Sequence, residues 1–185
     1  MDNNTLIVVV VAVALVIAAL ALLLTRRRRT DALRERFGPE YERTLTTTGK
    51  VSEAERILQE RQQRVAGFSL RNLTPDETQR FTTSWKNVQA RFVDEPRTAV
   101  VEGDRLIGEV MRARGYPVDD PARQLEDLSV DHAHVIEHYR AGRAIVSRHE
   151  QGAASTEDLR QAMVHFRALF EELVSRATNA VRRAS

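Results

Sequence analysis

Residues 6–29 read LIVVVVAVALVIAALALLLTRRRR, an unbroken apolar run that ends in four arginines. As an α-helix, residues 6–24 cover the ~30 Å hydrocarbon core of a bilayer, and no charged side chain interrupts them. A secretory signal peptide would need basic residues before the apolar run, a shorter run and a cleavage site of small residues, and the sequence has none of the three. The segment therefore predicts an uncleaved, single-pass transmembrane helix over residues 6–25.

The arginine cluster predicts the orientation of that helix. Basic residues beside a span stay on the cytoplasmic side, and residues 1–5 carry no basic side chain. We therefore expect an inner-membrane protein with its N-terminus outside and its C-terminal domain in the cytoplasm. The cluster could also recognise anionic lipid, but orientation alone is sufficient to explain it. The predicted topology determinants are Arg26, Arg27, Arg28 and Arg29.

The charge balance argues against nucleic acid as a partner. Removing the four clustered arginines from the 28 Lys and Arg leaves 24, and removing Asp2 from the 26 Asp and Glu leaves 25. Everything after the arginine cluster is therefore near −1, so the basic character belongs to the membrane boundary. The chain has no cysteine, which excludes disulfides, thiol catalysis and cysteine-based zinc sites.

The sequence divides into a short tail (residues 1–5), the membrane helix (6–25), a basic juxtamembrane helical segment (26–50) and a helical bundle domain (51–185). Gly38-Pro39 interrupts the juxtamembrane segment. Apolar residues recur at helical spacing throughout the bundle domain, and no stretch alternates as a strand does. The predicted fold class is all-α, with one transmembrane helix followed by a cytosolic multi-helix bundle.

Several helix starts carry capping signals. Thr74-Pro75-Asp76-Glu77 combines a cap residue, a proline at the first helical position and an acid two residues later. Ser155 with Asp158, and Ser52 with Glu55, have the spacing of capping boxes. A further short helix is expected from Pro121 to Leu128, followed by one that Asp131 caps.

The helix that starts after Thr74 carries one continuous apolar stripe, and we expect that stripe to be core. A tryptophan within it could instead anchor a partner in a groove, but apolar stripes of this kind are mostly buried. The four longest amphipathic helices should pack against each other as a bundle. The stripe consists of Phe81, Trp85, Val88 and Phe92.

The histidines are the only group of residues that suggests metal chemistry. His134 and His138 are four residues apart and share a helix face, as two metal ligands would. However, the sequence has no HExxH, and it lacks the Glu-x-x-His motif of di-iron bundles. We therefore predict surface or edge histidines, no metal and no cofactor. The five are His132, His134, His138, His149 and His165.

No other pattern indicates an enzyme. The eight glycines are scattered singly, so no phosphate-binding loop is present, and no serine lies in a nucleophile elbow. The carboxylates alternate with arginines at helical spacing, which is typical of a solvated helix surface. We predict no catalytic residue and no cofactor-binding residue.

Residues 84–118 read SWKNVQARFVDEPRTAVVEGDRLIGEVMRARGYPV. The FVD-x-P piece (residues 92–96) and the RGYPV piece (114–118) resemble a family of membrane-anchored helical proteins from GC-rich bacteria. The resemblance covers about residues 31–174 and implies an anchored, all-helical cytosolic domain. It supplies no catalytic residue or cofactor, because no activity is known for that family.

The sequence favours a non-enzymatic protein-interaction or scaffolding module at the inner face of the membrane. Its predicted partners are the lipid bilayer and a protein, which could be a second copy of the chain. Two alternatives remain open. One is a metal- or ligand-binding helical bundle with a sensory or weak catalytic role, and the other is a lipid-surface protein that acts through its arginine cluster.

Overall fold

The computed structural model describes residues 3–183, with side chains over residues 11–175. Within that part of the chain there are eight α-helices and no strand, which confirms the all-α prediction. The helices are α1 (Asn3–Phe37), α2 (Pro39–Thr48), α3 (Val51–Ala66), α4 (Pro75–Arg91), α5 (Pro96–Ala113), α6 (Pro121–Asp131), α7 (Ala133–Glu150) and α8 (Thr156–Arg183).

The chain divides into two compact units, Met1–Leu58 and Gln59–Ser185. The division falls inside α3, whereas the sequence places the start of the bundle domain at residue 51. The first unit contains α1, α2 and the first half of α3. The second contains the end of α3 and all of α4 to α8, and it holds the main hydrophobic core.

Helix α1 is continuous through the apolar run and the arginine cluster, and it ends at Phe37 as Gly38-Pro39 predicts. Among the described residues, no helix is both long enough and apolar enough to cross a membrane. Residues 6–10 of the predicted span lie outside the described side chains. Over residues 11–24 every side chain is exposed, and the large apolar ones from Val11 to Leu24 are each 52–66% exposed.

In the first unit, Glu55 joins three helices. The Thr30 hydroxyl donates to Glu55 Oε1 at 2.6 Å, and the Tyr41 hydroxyl donates to the same oxygen at 3.3 Å. The predicted capping box of Ser52 and Glu55 is wrong, because α3 begins at Val51 and Ser52 therefore lies inside the helix. The Glu55 carboxylate binds α1 and α2 instead of the start of its own helix.

The other two capping boxes are confirmed. The Thr74 hydroxyl accepts a hydrogen bond from the Glu77 amide, and the Glu77 carboxylate accepts one from the Thr74 amide at 2.9 Å. Arg71 and this amide together lower the pKa of Glu77 to about 2. Ser155 and Asp158 cap α8 in the same reciprocal way. Local sequence therefore determines where α4 and α8 begin.

The junction between α6 and α7 differs from the prediction. Helix α6 extends beyond Leu128 to Asp131, so Asp131 ends that helix and does not cap α7. His132 lies between the two helices and makes no side-chain cap. The backbone amides of Val135 and Ile136 bond to its carbonyl oxygen, so α7 begins directly after α6 without a polar cap.

Helix α8 lies at the centre of the second unit and contacts α4, α5 and α7. The prediction for the α4 stripe is confirmed for Phe81, Trp85 and Val88, which are buried, while Phe92 is half-buried at the edge of the core. The Trp85 ring stacks on Phe170 of α8, with 4.7 Å between ring centroids. Trp85 is therefore a core residue and presents no free face for a partner.

Two glycines allow the helices to approach the ring of Phe166. A Cβ added at Gly142 of α7 would lie 2.5 Å from Cε1 of this fully buried ring. At Gly103 of α5, an added Cβ would lie 3.7 Å from Phe166 Cδ2 and 3.3 Å from Met163 Sδ. The bare backbone at residue 142 thus sets the separation between α7 and α8 in the core.

We expect Gly142→Ala to lower the free energy of unfolding of the bundle by about 1–3 kcal/mol, because the new methyl group overpacks the core. The matched control is Gly108→Ala, also inside a helix, where an added Cβ meets nothing within 4 Å. Alanine is a better helix former, so the control should gain about 0.5–1 kcal/mol. Thermal unfolding followed by Trp85 fluorescence compares the two. Stabilisation by both substitutions would show that residue 142 has room for a side chain.

Candidate functional site

All five histidines lie along the packed pair α7 and α8 or at its end. The structure separates them into two groups, which we call the buried histidine chain (Tyr116, His132, Glu172) and the surface histidine pair (His138, His165). The exposed side chain of His134 lies beside the first group, and its Nε2 is 3.5 Å from Glu172 Oε2. His149 lies near the other end of α7, outside both groups.

The buried histidine chain joins three parts of the second unit. His132 is completely buried, which overturns its prediction as a surface or edge histidine. Its Nδ1 lies 3.1 Å from Glu172 Oε1, and its Nε2 lies 3.3 Å from the Tyr116 hydroxyl oxygen. Since a carboxylate can only accept, Nδ1 carries the proton and donates to Glu172, while Tyr116 donates to Nε2.

A hydroxyl, an imidazole and a carboxylate in this order form the arrangement that activates a nucleophile in hydrolases. Here the tyrosine is only 3% exposed, so its hydroxyl has no open face for a substrate. The three side chains instead satisfy each other's polar groups in the interior, as buried polar groups generally must. The buried histidine chain therefore joins the α5–α6 connection, the α6–α7 junction and α8.

The surface histidine pair joins α7 to α8. The Nδ1 atoms of His138 and His165 are 3.2 Å apart, and the ring centroids are 5.4 Å apart. His138 is exposed and His165 is half-buried. Burial and the neighbouring His138 both lower the pKa of His165. The His165 imidazole is therefore neutral at pH 7.

The spacing of His134 and His138 does not bring them to a common partner. Both lie on one face of α7, but His134 is directed to Glu172 and His138 to His165. Among the described residues, no three or more His, Asp or Glu side chains converge as metal ligands would. Sequence reasoning missed Tyr116 and Glu172, because they are 16 and 40 positions from His132 and no local pattern connects them.

A second polar contact is buried between α5 and α7. The Tyr139 hydroxyl donates to Asp104 Oδ1 at 3.0 Å, and Arg143 lies 3.6 Å from Asp104 Oδ2. Burial raises the pKa of Asp104, although Arg143 and Tyr139 counteract part of that effect. The hydrogen bond from Tyr139 and the ion pair with Arg143 join α7 to Asp104 of α5, as the buried histidine chain joins other parts of the bundle.

A cleft of about 480 Å³ opens between α4 and α5, away from all five histidines. Phe81 and Ala113 form its apolar part, and the charged side chains at its mouth are of both signs. Glu109 is the one carboxylate in its lining, and no imidazole lines it. Its lining residues are Arg80, Phe81, Ser84, Glu109, Arg112 and Ala113.

The predicted topology determinants form the remaining candidate site. All four arginine side chains are exposed, and they continue α1 directly after its apolar residues. The next residue, Thr30, donates a hydrogen bond to Glu55. We call Arg26, Arg27, Arg28 and Arg29 the arginine collar.

Comparison of the chain with protein-family models, with curated proteins and with solved structures finds no match.

Replacing His132 by Gln should lower the free energy of unfolding by about 1–3 kcal/mol, because it disturbs two buried hydrogen bonds at once. Tyr116→Phe removes only one of them and should cost about 0.5–1.5 kcal/mol. The matched control is His134→Gln, an exposed histidine two residues away, which should stay within about 0.5 kcal/mol. Denaturant unfolding measures all three. Equal effects at positions 132 and 134 would contradict the structural role of the buried histidine chain.

Proposed function

We propose that this chain is a single-pass inner-membrane protein whose helical domain lies on the cytoplasmic side and acts there as a non-enzymatic interaction or scaffolding module. The family resemblance of residues 92–96 and 114–118 is consistent with an anchored helical protein. In this proposal α1 is the anchor, the arginine collar orients it, and the second unit is the part that partners recognise.

The observation that carries the anchor is the exposed apolar surface of α1. From residue 11 to residue 24 all side chains are exposed, and all are apolar. Soluble proteins seldom expose a contiguous apolar patch of more than a few hundred Å². A helix that is apolar around its whole circumference is either buried in protein or in lipid. Together with residues 6–10, this surface has the length that a bilayer requires.

The arginine collar supports the orientation. Its four exposed side chains would lie at the level of the lipid headgroups, where each basic residue gains about 1 kcal/mol near an anionic surface. Translocating them across the hydrocarbon core would cost more than that, so the end of α1 that carries them stays in the cytoplasm. The part of α1 that follows the arginine collar then lies in the aqueous cytoplasm.

The interaction role is supported by how the second unit uses its polar groups. The buried histidine chain and the Asp104–Tyr139 contact use their polar groups to join helices. The outer surface carries ion pairs between neighbouring turns, such as Arg160 with Glu157 and Arg167 with Glu171. A rigid bundle with a charged surface on a membrane tether is suited to present that surface to other proteins.

A second candidate function, a metal-binding bundle, has one specific observation in its favour, which is the surface histidine pair. The two imidazole nitrogens face each other across two helices at 3.2 Å. Metal binding at this point is compatible with the membrane anchor, because the pair lies in the second unit and the anchor in the first.

A promiscuous biotin ligase fused to the C-terminus tests topology and interaction together. The ligase depends on cytoplasmic ATP, so we expect it to label proteins in the cytoplasm of the host. Replacing the arginine collar by four glutamines should abolish much of this labelling, because the orientation signal is lost. Replacing the collar by four lysines keeps the charge and should preserve the labelling.

Two outcomes bear on different parts of the proposal. A C-terminus that is exported in the unmodified protein would contradict the topology. If the bundle has specific partners, some labelled proteins should be lost when an unrelated helical domain replaces residues 59–185. The control fusion keeps the same α1 and arginine collar. An identical set of labelled proteins for both fusions would contradict a specific interaction module and leave only the anchor.

A further inference from the structure

The surface histidine pair has the geometry of two ligands on one metal ion. Nitrogen ligands bind Zn²⁺ at 2.0–2.1 Å, so two of them in a tetrahedral site are about 3.4 Å apart. The observed separation of the His138 and His165 Nδ1 atoms is 3.2 Å. The distance between the two nitrogens therefore matches that of two ligands on one zinc ion.

The chemistry of a neutral imidazole supports this interpretation. Each ring has one protonated nitrogen and one lone pair. If both rings carry their proton on Nε2, each of the two facing Nδ1 atoms presents a lone pair; otherwise one Nδ1 donates a hydrogen bond to the other. Such lone pairs repel unless a proton or a cation lies between them.

The pair is held rigidly by the core beneath it. His138 precedes Tyr139 and His165 precedes Phe166, and these two buried rings contact each other with 5.8 Å between centroids. One turn further along α7, the bare backbone of Gly142 lies directly against Phe166. The separation of the two imidazoles is thus set by packing and would not have to be established by the metal.

We propose that His138 and His165 form an open binding site for a divalent transition metal of the Zn²⁺ type, which joins α7 to α8. Imidazole ligands suit zinc, copper, nickel and cobalt, and the absence of carboxylate from the pair disfavours Mg²⁺ and Ca²⁺. Since the described part of the chain offers no third converging ligand, water or an external group completes the coordination. The site is exposed on the His138 side, so the ion can enter from solvent. This property is additional to the proposed anchoring and interaction role.

The test uses the full chain in detergent, without a polyhistidine tag and freed of metal by a chelator. We expect Zn²⁺ to bind saturably with one ion per chain and to raise the melting temperature. If the metal binds only the folded state and its free concentration is a hundred times its Kd, the melting temperature should rise by about 5–10 °C for a chain of this size. Removing the ion with chelator should reverse the shift.

Four variants identify the ligands. His138→Gln and His165→Gln should each abolish the shift, whereas His134→Gln and His149→Gln, on the same helix as His138, should retain it. His138 is exposed, so His138→Gln remains a fair test if the half-buried His165→Gln folds poorly. Nitrogen NMR of the histidines should show coordination through Nδ1 at both positions.

Three results would overturn the proposal. The first is the lack of any saturable shift in the unmodified chain. The second is a shift that His165→Gln retains, which would mean that α8 contributes no ligand. The third is a shift lost in both His134→Gln and His138→Gln but not in His165→Gln, because that pattern would assign the metal to the two histidines of α7. Visible absorption of bound Co²⁺ should follow the same pattern of variants as the melting temperature.

Discussion

The contact between the Phe166 ring and the backbone of Gly142 sets the arrangement of the bundle. Because residue 142 has no side chain, α7 can approach α8 until the buried ring fills the space that a Cβ would occupy. Close packing of this kind tolerates little adjustment, so it fixes the register of one helix against the other. The Tyr139 ring beside Phe166, the surface histidine pair above it and the buried histidine chain nearer the end of α7 all depend on that register.

The two units differ in whether their apolar side chains are buried or exposed. In the second unit, apolar stripes are buried against each other, and the buried His132 is hydrogen-bonded to Glu172 and Tyr116. In the first unit, the apolar surface of α1 is exposed over residues 11–24. A bilayer provides the environment that this surface lacks in water, and the arginine collar marks where that environment would end.

Features that depend on local sequence could be predicted. The helix starts at Thr74 and Ser155 need only residues within one turn, and the core stripe of α4 needs only its own periodicity. The failure at Ser52 and Glu55 is also instructive, because the spacing is correct but Thr30 and Tyr41 bind the carboxylate instead.

The arrangement of the histidines could not be predicted, because it depends on how two helices align. Spacing within α7 pairs His134 with His138, but the nitrogen that faces His138 belongs to a residue 27 positions away. That contact follows from the position of Phe166 on Gly142, which no local pattern reveals. The burial of His132 also depends on how helices align, because the break between α6 and α7 places it against α8.

Membrane insertion of α1 is the property on which the proposed role depends, and the lack of cysteine makes it directly measurable. Single cysteines from residue 11 to residue 37 can each carry a nitroxide label in lipid vesicles, where collision with oxygen and with a water-soluble nickel complex reports depth. We predict high oxygen and low nickel accessibility throughout residues 11–24, without helical periodicity, and a rise in nickel accessibility from the arginine collar onward. Nickel accessibility within residues 11–24, or a 3.6-residue alternation there, would contradict a spanning helix and indicate a helix that lies on the surface or against protein.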